Sequence, residues 1–370
     1  VKTFRIVRRA SPSARMQLLS PLLAMALTLL CGLGIFAGLG LPPGRAFHAL
    51  FIEPVSGMNG LSELLLIASP LCLIALGLAI GYRANVWNIG AEGQMYLGGI
   101  CATGVAIHWQ GHAGAWTLWA MLVAGAAGGA LWASVTAYLR ARLHANEILV
   151  SLMLTYVADQ LVKYLVYGPW QDPQANKFPM TVEFGDDALL PLLQSFGWEI
   201  FDGTRVNASV FIVLAAIPAA WLFIGRSFAG FRLDVSGQAP AAARYAGFPQ
   251  TGAIWLGMLI GGAAAGLAGA AELAGPIGRL NDRWTPGFGF TAIIVAALGR
   301  LHPLGIALAA LLMALLYLGG EAGQIALQLP KAISQVFQGM LLMFLLGCDV
   351  LVRHRLQWRA APEIAAGAAA

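Results

Sequence analysis

Apolar residues run in long blocks along this chain, and polar residues collect in short stretches between them. A helix needs about 20 predominantly apolar residues to cross the hydrocarbon core of a bilayer. Blocks of that kind predict spans at 18–40, 61–81, 89–107, 114–138, 147–167, 209–225, 251–274, 288–300, 303–320 and 332–352. The eighth is short and reads as a half-span or as a helix that runs longer. The expected fold class is therefore an all-α polytopic membrane protein of about ten transmembrane helices, some broken or re-entrant.

Two segments interrupt the helical pattern inside apolar surroundings. The first is Arg83-Ala84-Asn85-Val86-Trp87-Asn88-Ile89-Gly90-Ala91-Glu92-Gly93-Gln94, and the second runs from Gly275-Pro276 through Asn281-Asp282 to Pro286-Gly287. Irregular backbone at membrane depth is tolerated only where protein buries it or a watery cavity meets it. Both are candidates for breaks lining a pathway, with Asn88, Glu92, Gln94 and Asn281 as its polar groups. An ordinary interfacial loop is the competing reading, and the second segment is long enough to be one. Each break comes early in a group of four spans, 61–167 and 251–352, which suggests two related halves.

Composition agrees with the pattern. The chain is 59% hydrophobic and only 11% charged over 370 residues, with mean hydropathy +0.73. A soluble domain carries about 25% charged residues, so the bilayer is the solvent for much of this surface. One membrane domain, 18–352, lies between a cytoplasmic N-terminal segment, 1–17, and a cytoplasmic tail, 353–370. The net charge of +5 does not indicate nucleic acid, because the cations sit between apolar runs and form no basic stripe with aromatics. Lys2, Arg5, Arg8, Arg9 and Arg15 precede the first span, and Arg140, Arg142, Arg226, Arg232, Arg244, Arg300, Arg353, Arg355 and Arg359 follow others. With ten spans, all fall on one side. That places both termini in the cytoplasm of a multi-pass protein of a bacterial inner or plasma membrane. Arg83 agrees with an inside end, and loop 168–208, rich in Asp and Glu, falls outside. The first apolar run is too long for a signal peptide and lacks a small-residue cleavage site, so it reads as an uncleaved span. Leu30 before Cys31 argues against a lipoprotein.

Glycines inside the spans fit close helix packing in lipid. Gly262, Gly266 and Gly269 fall on nearly one face, with a pore lining as the alternative. Few ionisable residues remain within spans: Glu92, Glu147, Asp159, Lys163, Glu272 and Glu321. An ionised group there costs about 2.5–3.5 kcal/mol on insertion scales, so such groups face a bundle interior or a pathway. Asp159 and Lys163, four apart, form a structural pair. Glu92 and Glu272 lack a local partner and stand among small residues, which makes both pathway candidates.

Catalytic signatures are missing. There is no G-x-x-x-x-G-K-[ST] phosphate loop, no G-x-S-x-G elbow and no H-E-x-x-H. Cys31, Cys72, Cys101 and Cys348 lie in apolar runs without metal spacing. His108 and His112 are four apart, but Gln110-Gly111 between them reads as a turn. No enzyme and no metal site is expected. The loop 226–250 is unusual, because Pro240 is well placed to start a short helix of small residues that Gly247 stops. Such a helix suits docking of a cytoplasmic partner better than solvation.

These residues carry a resemblance. Gly237-Gln238-Ala239-Pro240-Ala241-Ala242-Ala243-Arg244-Tyr245-Ala246-Gly247-Phe248 resembles the coupling segment of ABC importer permeases of the ribose and branched-chain amino acid type, with Ala239 where Asn is usual. Trp87-Asn88-Ile89-Gly90-Ala91-Glu92-Gly93-Gln94 is similar to the F-N-I-G-A-E-G-Q motif of the nucleoside (Bmp-type) branch, with Trp for Phe. Stretches 146–154, 167–173, 287–291 and 298–305 also resemble that branch. The resemblance implies an ABC importer permease architecture and an ATPase-coupling helix from Ser236 to Gly247. Within it, Gly237, Pro240, Ala242, Ala243, Arg244, Tyr245 and Gly247 carry the coupling. It implies four associations: a cytoplasmic ABC ATPase that uses ATP and Mg, an extracytoplasmic substrate-binding (lipo)protein, a second permease subunit, and the lipid bilayer. It implies no cofactor bound by this chain. Nucleosides are the first expected substrate, simple sugars of the ribose or galactose type the alternative, and an ion-coupled secondary transporter a further one.

Overall fold

The computed structural model describes residues 2–9, 13–110, 114, 116–328, 330 and 332–360. His112 lies outside them. In chain order the elements are β1 (Lys2–Arg8), α1 (Ala14–Gly38), α2 (Pro43–Phe47), α3 (Met58–Arg83), α4 (Ala91–His108), α5 (Trp116–Leu143), α6 (Glu147–Tyr167), α7 (Ser209–Arg226), α8 (Phe228–Gln238), α9 (Pro240–Tyr245), α10 (Gln250–Glu272), α11 (Phe288–Leu298), α12 (Pro303–Leu327), α13 (Ala332–Arg353) and β2 (His354–Ala360). Every expected span coincides with one of these helices. Among the described residues, eight helices are long and apolar enough to cross a membrane unaided. The other two, α4 and α11, each begin at a break. Glu92 and Gln94 make the first turn of α4 polar, and α11 has only 11 residues.

The chain divides into two compact units. One joins the N-terminal residues up to His48 to the C-terminal residues from Leu327, and the other is Ala49–Ala326. In the first unit, α1 packs along α13. A carbon added at Gly32 would overlap the Phe337 ring, Phe36 stacks on Phe337 at 5.7 Å, and the Ser20 hydroxyl donates to Asp349 at 2.8 Å. β1 and β2 pair antiparallel from Lys2↔Ala360 to Arg8↔His354. This short ribbon adds to the helical fold and holds the two ends of the described chain side by side.

In the second unit, α3, α4, α5 and α10 form the centre. α3 is buried on all sides from Ala68 to Tyr82, because its apolar residues surround the whole helix and leave no polar face for water. It runs antiparallel to α10, with Gly77 against Gly261 and Ala264, and Gly81 against Gly257. A carbon added at Gly266 would lie 2.1 Å from the Gly125 carbonyl oxygen, and one at Gly98 2.3 Å from Cα of Gly266. Gly262 meets Gly129, and Gly269 meets the Met95 carbonyl. The glycine face of α10 therefore serves backbone-to-backbone packing and lines no pore.

The two breaks enter from opposite ends of this bundle. α3 ends at Arg83, the chain turns through Asn85 at φ 56°, and α4 begins at Ala91. α10 ends in a π-turn, Leu273–Ile277, and Gly278 and Gly287 take positive φ before α11. The second break is not a free loop. Thr181 N–H donates to the Leu280 carbonyl at 2.9 Å, Phe184 N–H to Gly278 at 2.9 Å and Leu190 N–H to Ala274 at 2.7 Å. The long connection 168–208 thus supplies the backbone partners that an irregular buried segment needs. Arg205 adds a two-bond ion pair to Glu63 near the start of α3, both bonds at 2.8 Å. That bond to Glu63 raises the pKa of the Arg205 guanidinium above its usual value.

Candidate functional site

The breaks meet at Glu92. Its Oε1 accepts from the Thr285 hydroxyl at 2.9 Å, and its Oε2 accepts from the Gly289 backbone N–H at 2.6 Å. Glu92 is in the first turn of α4, and Gly289 is in the first turn of α11. One carboxylate thus sits where two helix N-termini converge, each carrying roughly half a positive charge from its unpaired N–H groups. Glycine at 289 is required, since an added carbon would lie 2.2 Å from the Glu92 nitrogen. Ten residues of α11, Gly289–Leu298, carry the helix onward from the junction, roughly 15 Å at 1.5 Å per residue.

Asn88 and Gln94 hold the first break in shape. Asn88 Nδ2 donates to Gln94 Oε1 at 2.8 Å, and Gln94 Nε2 donates back to Asn88 Oδ1 at 3.0 Å. The Gly90 N–H shares that oxygen at 3.1 Å, and the Tyr82 hydroxyl donates to the Asn88 carbonyl at 3.1 Å. All of these side chains are buried. The bonds satisfy the backbone that leaves helical geometry between α3 and α4.

The other end of the first break carries the expected short helix. α9 starts at Pro240 and ends before Gly247, whose φ is +78°. Ala243 is 2% exposed and Tyr245 97% exposed. Pro240, Ala242 and Arg244 are also exposed. α8, which the sequence reading left as loop, precedes it, and the Ser227 hydroxyl caps it by accepting from Gly230 N–H at 2.9 Å. The Arg232 guanidinium lies 5.9 Å from the Phe228 ring and 5.4 Å from the Phe248 ring, tying α8 to the chain after α9.

This helical hairpin is fastened to the first break. A carbon added at Gly237 would lie 2.0 Å from the Arg83 carbonyl oxygen, and Asn85 Nδ2 donates to the Gly237 carbonyl at 2.9 Å. Arg83 Nη1 donates to both carboxylate oxygens of Asp234 at 3.1 Å. Its Nη2 donates to the Leu301 carbonyl, just past α11, at 3.1 Å. Beside the pair lies a cleft of about 670 Å³, lined by Trp221, Phe228, Phe231 and His302 among others.

Not every candidate joins the junction. Glu272 ends α10 beside a small cavity lined by Ser69, Ser209 and Val213, away from Glu92. The Asn281 carboxamide accepts from the Arg283 N–H at 3.0 Å and the residue bridges to Met180, so it shapes a turn. Asp159 and Lys163 form the expected pair at 2.6 Å, and Glu147 pairs with Arg140 at 3.1 Å. Sequence reading places Arg83, Asn85 and Thr285 within the two breaks and Gly289 in the stretch 287–291, but it does not single out these residues or Asp234, whose partners lie far along the chain.

Residues 60–346 match the family described as the permease component of the branched-chain amino acid transport system. The chain is 36% identical over 340 residues to the glucose ABC transporter permease protein of Haloferax volcanii, covering 91% of this chain and 89% of that one. It is 31% identical over 331 residues to the guanosine ABC transporter permease protein of Bacillus subtilis, covering 88% and 92%. It is 26% identical over 334 residues to the nucleoside ABC transporter permease protein of Lactococcus lactis, covering 89% and 90%. The match over most of the chain and these relatives lead to one conclusion: the chain belongs to this family of transport-system permeases and is the multi-pass membrane subunit of an ABC transporter.

Proposed function

We propose that this permease imports nucleosides, using ATP hydrolysis in a separate cytoplasmic ATPase. The observation that carries the coupling is the fastening of α8 and α9 to the first break through Gly237, Asn85, Arg83 and Asp234. Pro240, Ala242, Arg244 and Tyr245 form the exposed docking face, while Ala243 anchors the helix inward and Gly247 ends it. Closure of the ATPase moves this hairpin, and the motion passes through Arg83 to the Asn88–Gln94 turn and to the Glu92 junction. Asn88, Glu92 and Gln94 then act as the joint of the pathway, which opens to each side in turn. ATP and Mg belong to the partner, and this chain binds no cofactor. An extracytoplasmic binding protein delivers the solute toward loop 168–208, and a second permease subunit completes the route. In this orientation α9 and both termini face the cytoplasm.

The guanosine and nucleoside permeases match about nine-tenths of the chain, which supports the substrate. The glucose permease, at 36% identity, favours a second reading in which the solute is a simple sugar. Both are uncharged and rich in hydroxyl groups. Uptake of labelled guanosine, uridine and glucose, by cells holding the chain with its ATPase and binding protein, separates them. We expect nucleoside uptake that excess glucose leaves unchanged. Glucose uptake without nucleoside uptake would replace the first reading with the second. Uptake that persists in ATP-depleted vesicles under a maintained proton gradient would overturn the ATP-driven reading.

A further inference from the structure

Asp159 and Lys163 neutralise each other, and both are only half-buried. Their side chains keep 23% and 40% of their surface accessible. Asp159 lies twelve residues into α6 and eight before its end, roughly 18 Å and 12 Å along the axis. That is mid-depth for a helix of this length. Lipid is a poor solvent for either charge, and such groups face a protein interior or water.

The helix has two different exposed flanks. Ser151, Thr155, Ala158, Val162 and Val166 form its buried face, packed on the first break through Gly90 and Gly93. One flank carries Asp159 and Lys163 beside that face and Tyr156, Tyr167 and Gln160 farther round, with exposed Ile148 and Leu149 on it nearer the helix start. The other carries Met153, Val157, Leu161 and Tyr164, all exposed and mostly apolar, as a lipid-facing surface is. The polar flank borders the junction. Asp159 is within electrostatic reach of Glu92 and Tyr96, and the Tyr167 hydroxyl donates to Asp282 of the second break at 3.3 Å.

We propose that the α6 flank of Asp159, Gln160 and Lys163 is a water-facing wall of the solute route that binds a neutral, hydroxyl-rich solute. Asp159 Oδ2 accepts from Lys163 Nζ at 2.6 Å and from Gln160 Nε2 at 3.0 Å. Its Oδ1 accepts no bond among the described residues, and the Lys163 ammonium has donors to spare. An open acceptor beside open donors matches a vicinal diol, as in ribose or a hexose. The pair has no net charge, so it favours an uncharged solute over an ion. Tyr156 supplies an exposed ring for the apolar face of a sugar or a base. The solute class rests on the proposed function; the wall itself does not.

The test uses the assembled transporter in membranes and a charged methanethiosulfonate, which reacts with thiolate in water. The chain with its native cysteines alone gives the background. We expect Gln160→Cys and Tyr156→Cys to react about tenfold faster than Val157→Cys and Leu161→Cys, because a thiol in lipid stays protonated and unreactive. Saturating uridine should slow the reaction at 160 by about threefold, a modest protection typical of partial occlusion. Equal rates on the two flanks would overturn the wall. Fast labelling that neither uridine nor glucose slows would overturn solute binding there. Protection by glucose alone would uphold the wall and reject the nucleoside reading.

Discussion

Glu92 on α4 accepts a 2.6 Å hydrogen bond from the backbone N–H of Gly289 on α11, across 197 residues of sequence. The bond joins the two broken segments in the middle of the bundle. A carboxylate rather than an amide suits the place, because the N-termini of both helices point at it. Any relative movement of the two halves has to lengthen or redirect this contact.

Removing the carboxylate exposes that dependence. Glu92→Ala leaves the Gly289 N–H and the Thr285 hydroxyl buried without their acceptor, at about 1–3 kcal/mol for each group. We expect a lower melting temperature in detergent and little uptake. Glu92→Gln keeps one acceptor oxygen and is expected to fold with a smaller loss of stability while transporting poorly. Wild-type stability of Glu92→Ala would refute the role of this contact.

The glycine face of α10 makes a separate prediction. Gly266→Ala forces apart two backbones that meet at Gly125 and Gly129, and overpacking of this kind costs typically about 1–3 kcal/mol. Gly252→Ala, on the same helix where an added carbon meets only the ends of Arg232 and Pro249 at 3.7 and 3.9 Å, should change little. Thermal unfolding of the two variants side by side checks the difference.

Docking is tested on α9. Arg244→Glu reverses an exposed charge whose side chain makes no bond among the described residues, so the protein should insert and fold normally. We expect the ATPase no longer to co-purify with it. Normal co-purification would remove Arg244 from the docking face.

The sequence was a good guide to what each segment is and a poor guide to what it touches. Each of the ten apolar segments became a helix, and Pro240 with Gly247 bounded α9, because those signals are local. Glu92 looked partnerless because its acceptor sites are used by Thr285 and Gly289, far along the chain. Arg83 looked like a topology signal because Asp234 and Leu301 are equally remote. The β1–β2 ribbon pairs residues at opposite ends of the chain, and seven-residue strands have no meaning in sequence until both are in view. Glu272 stood out as an acid without a local partner among small residues and Asn281 as a polar group in a break, and neither feature says which neighbours the folded chain brings to it.

In the proposed mechanism, hydrolysis in the partner ATPase reaches the Glu92 junction through Arg83. The direct measurement is solute uptake and ATP hydrolysis, in the same proteoliposomes, for wild type, Asp234→Ala and the exchange Arg83→Asp with Asp234→Arg. The pair is partly exposed, so its loss should cost no more than about 1 kcal/mol of stability and the proteins should assemble. Asp234→Ala should still hydrolyse ATP while uptake falls about tenfold, a coupling loss near 1.4 kcal/mol. The exchange should recover part of it, since the ion pair returns but the bond to the Leu301 carbonyl does not. Wild-type uptake per ATP in Asp234→Ala would rule out coupling through Arg83.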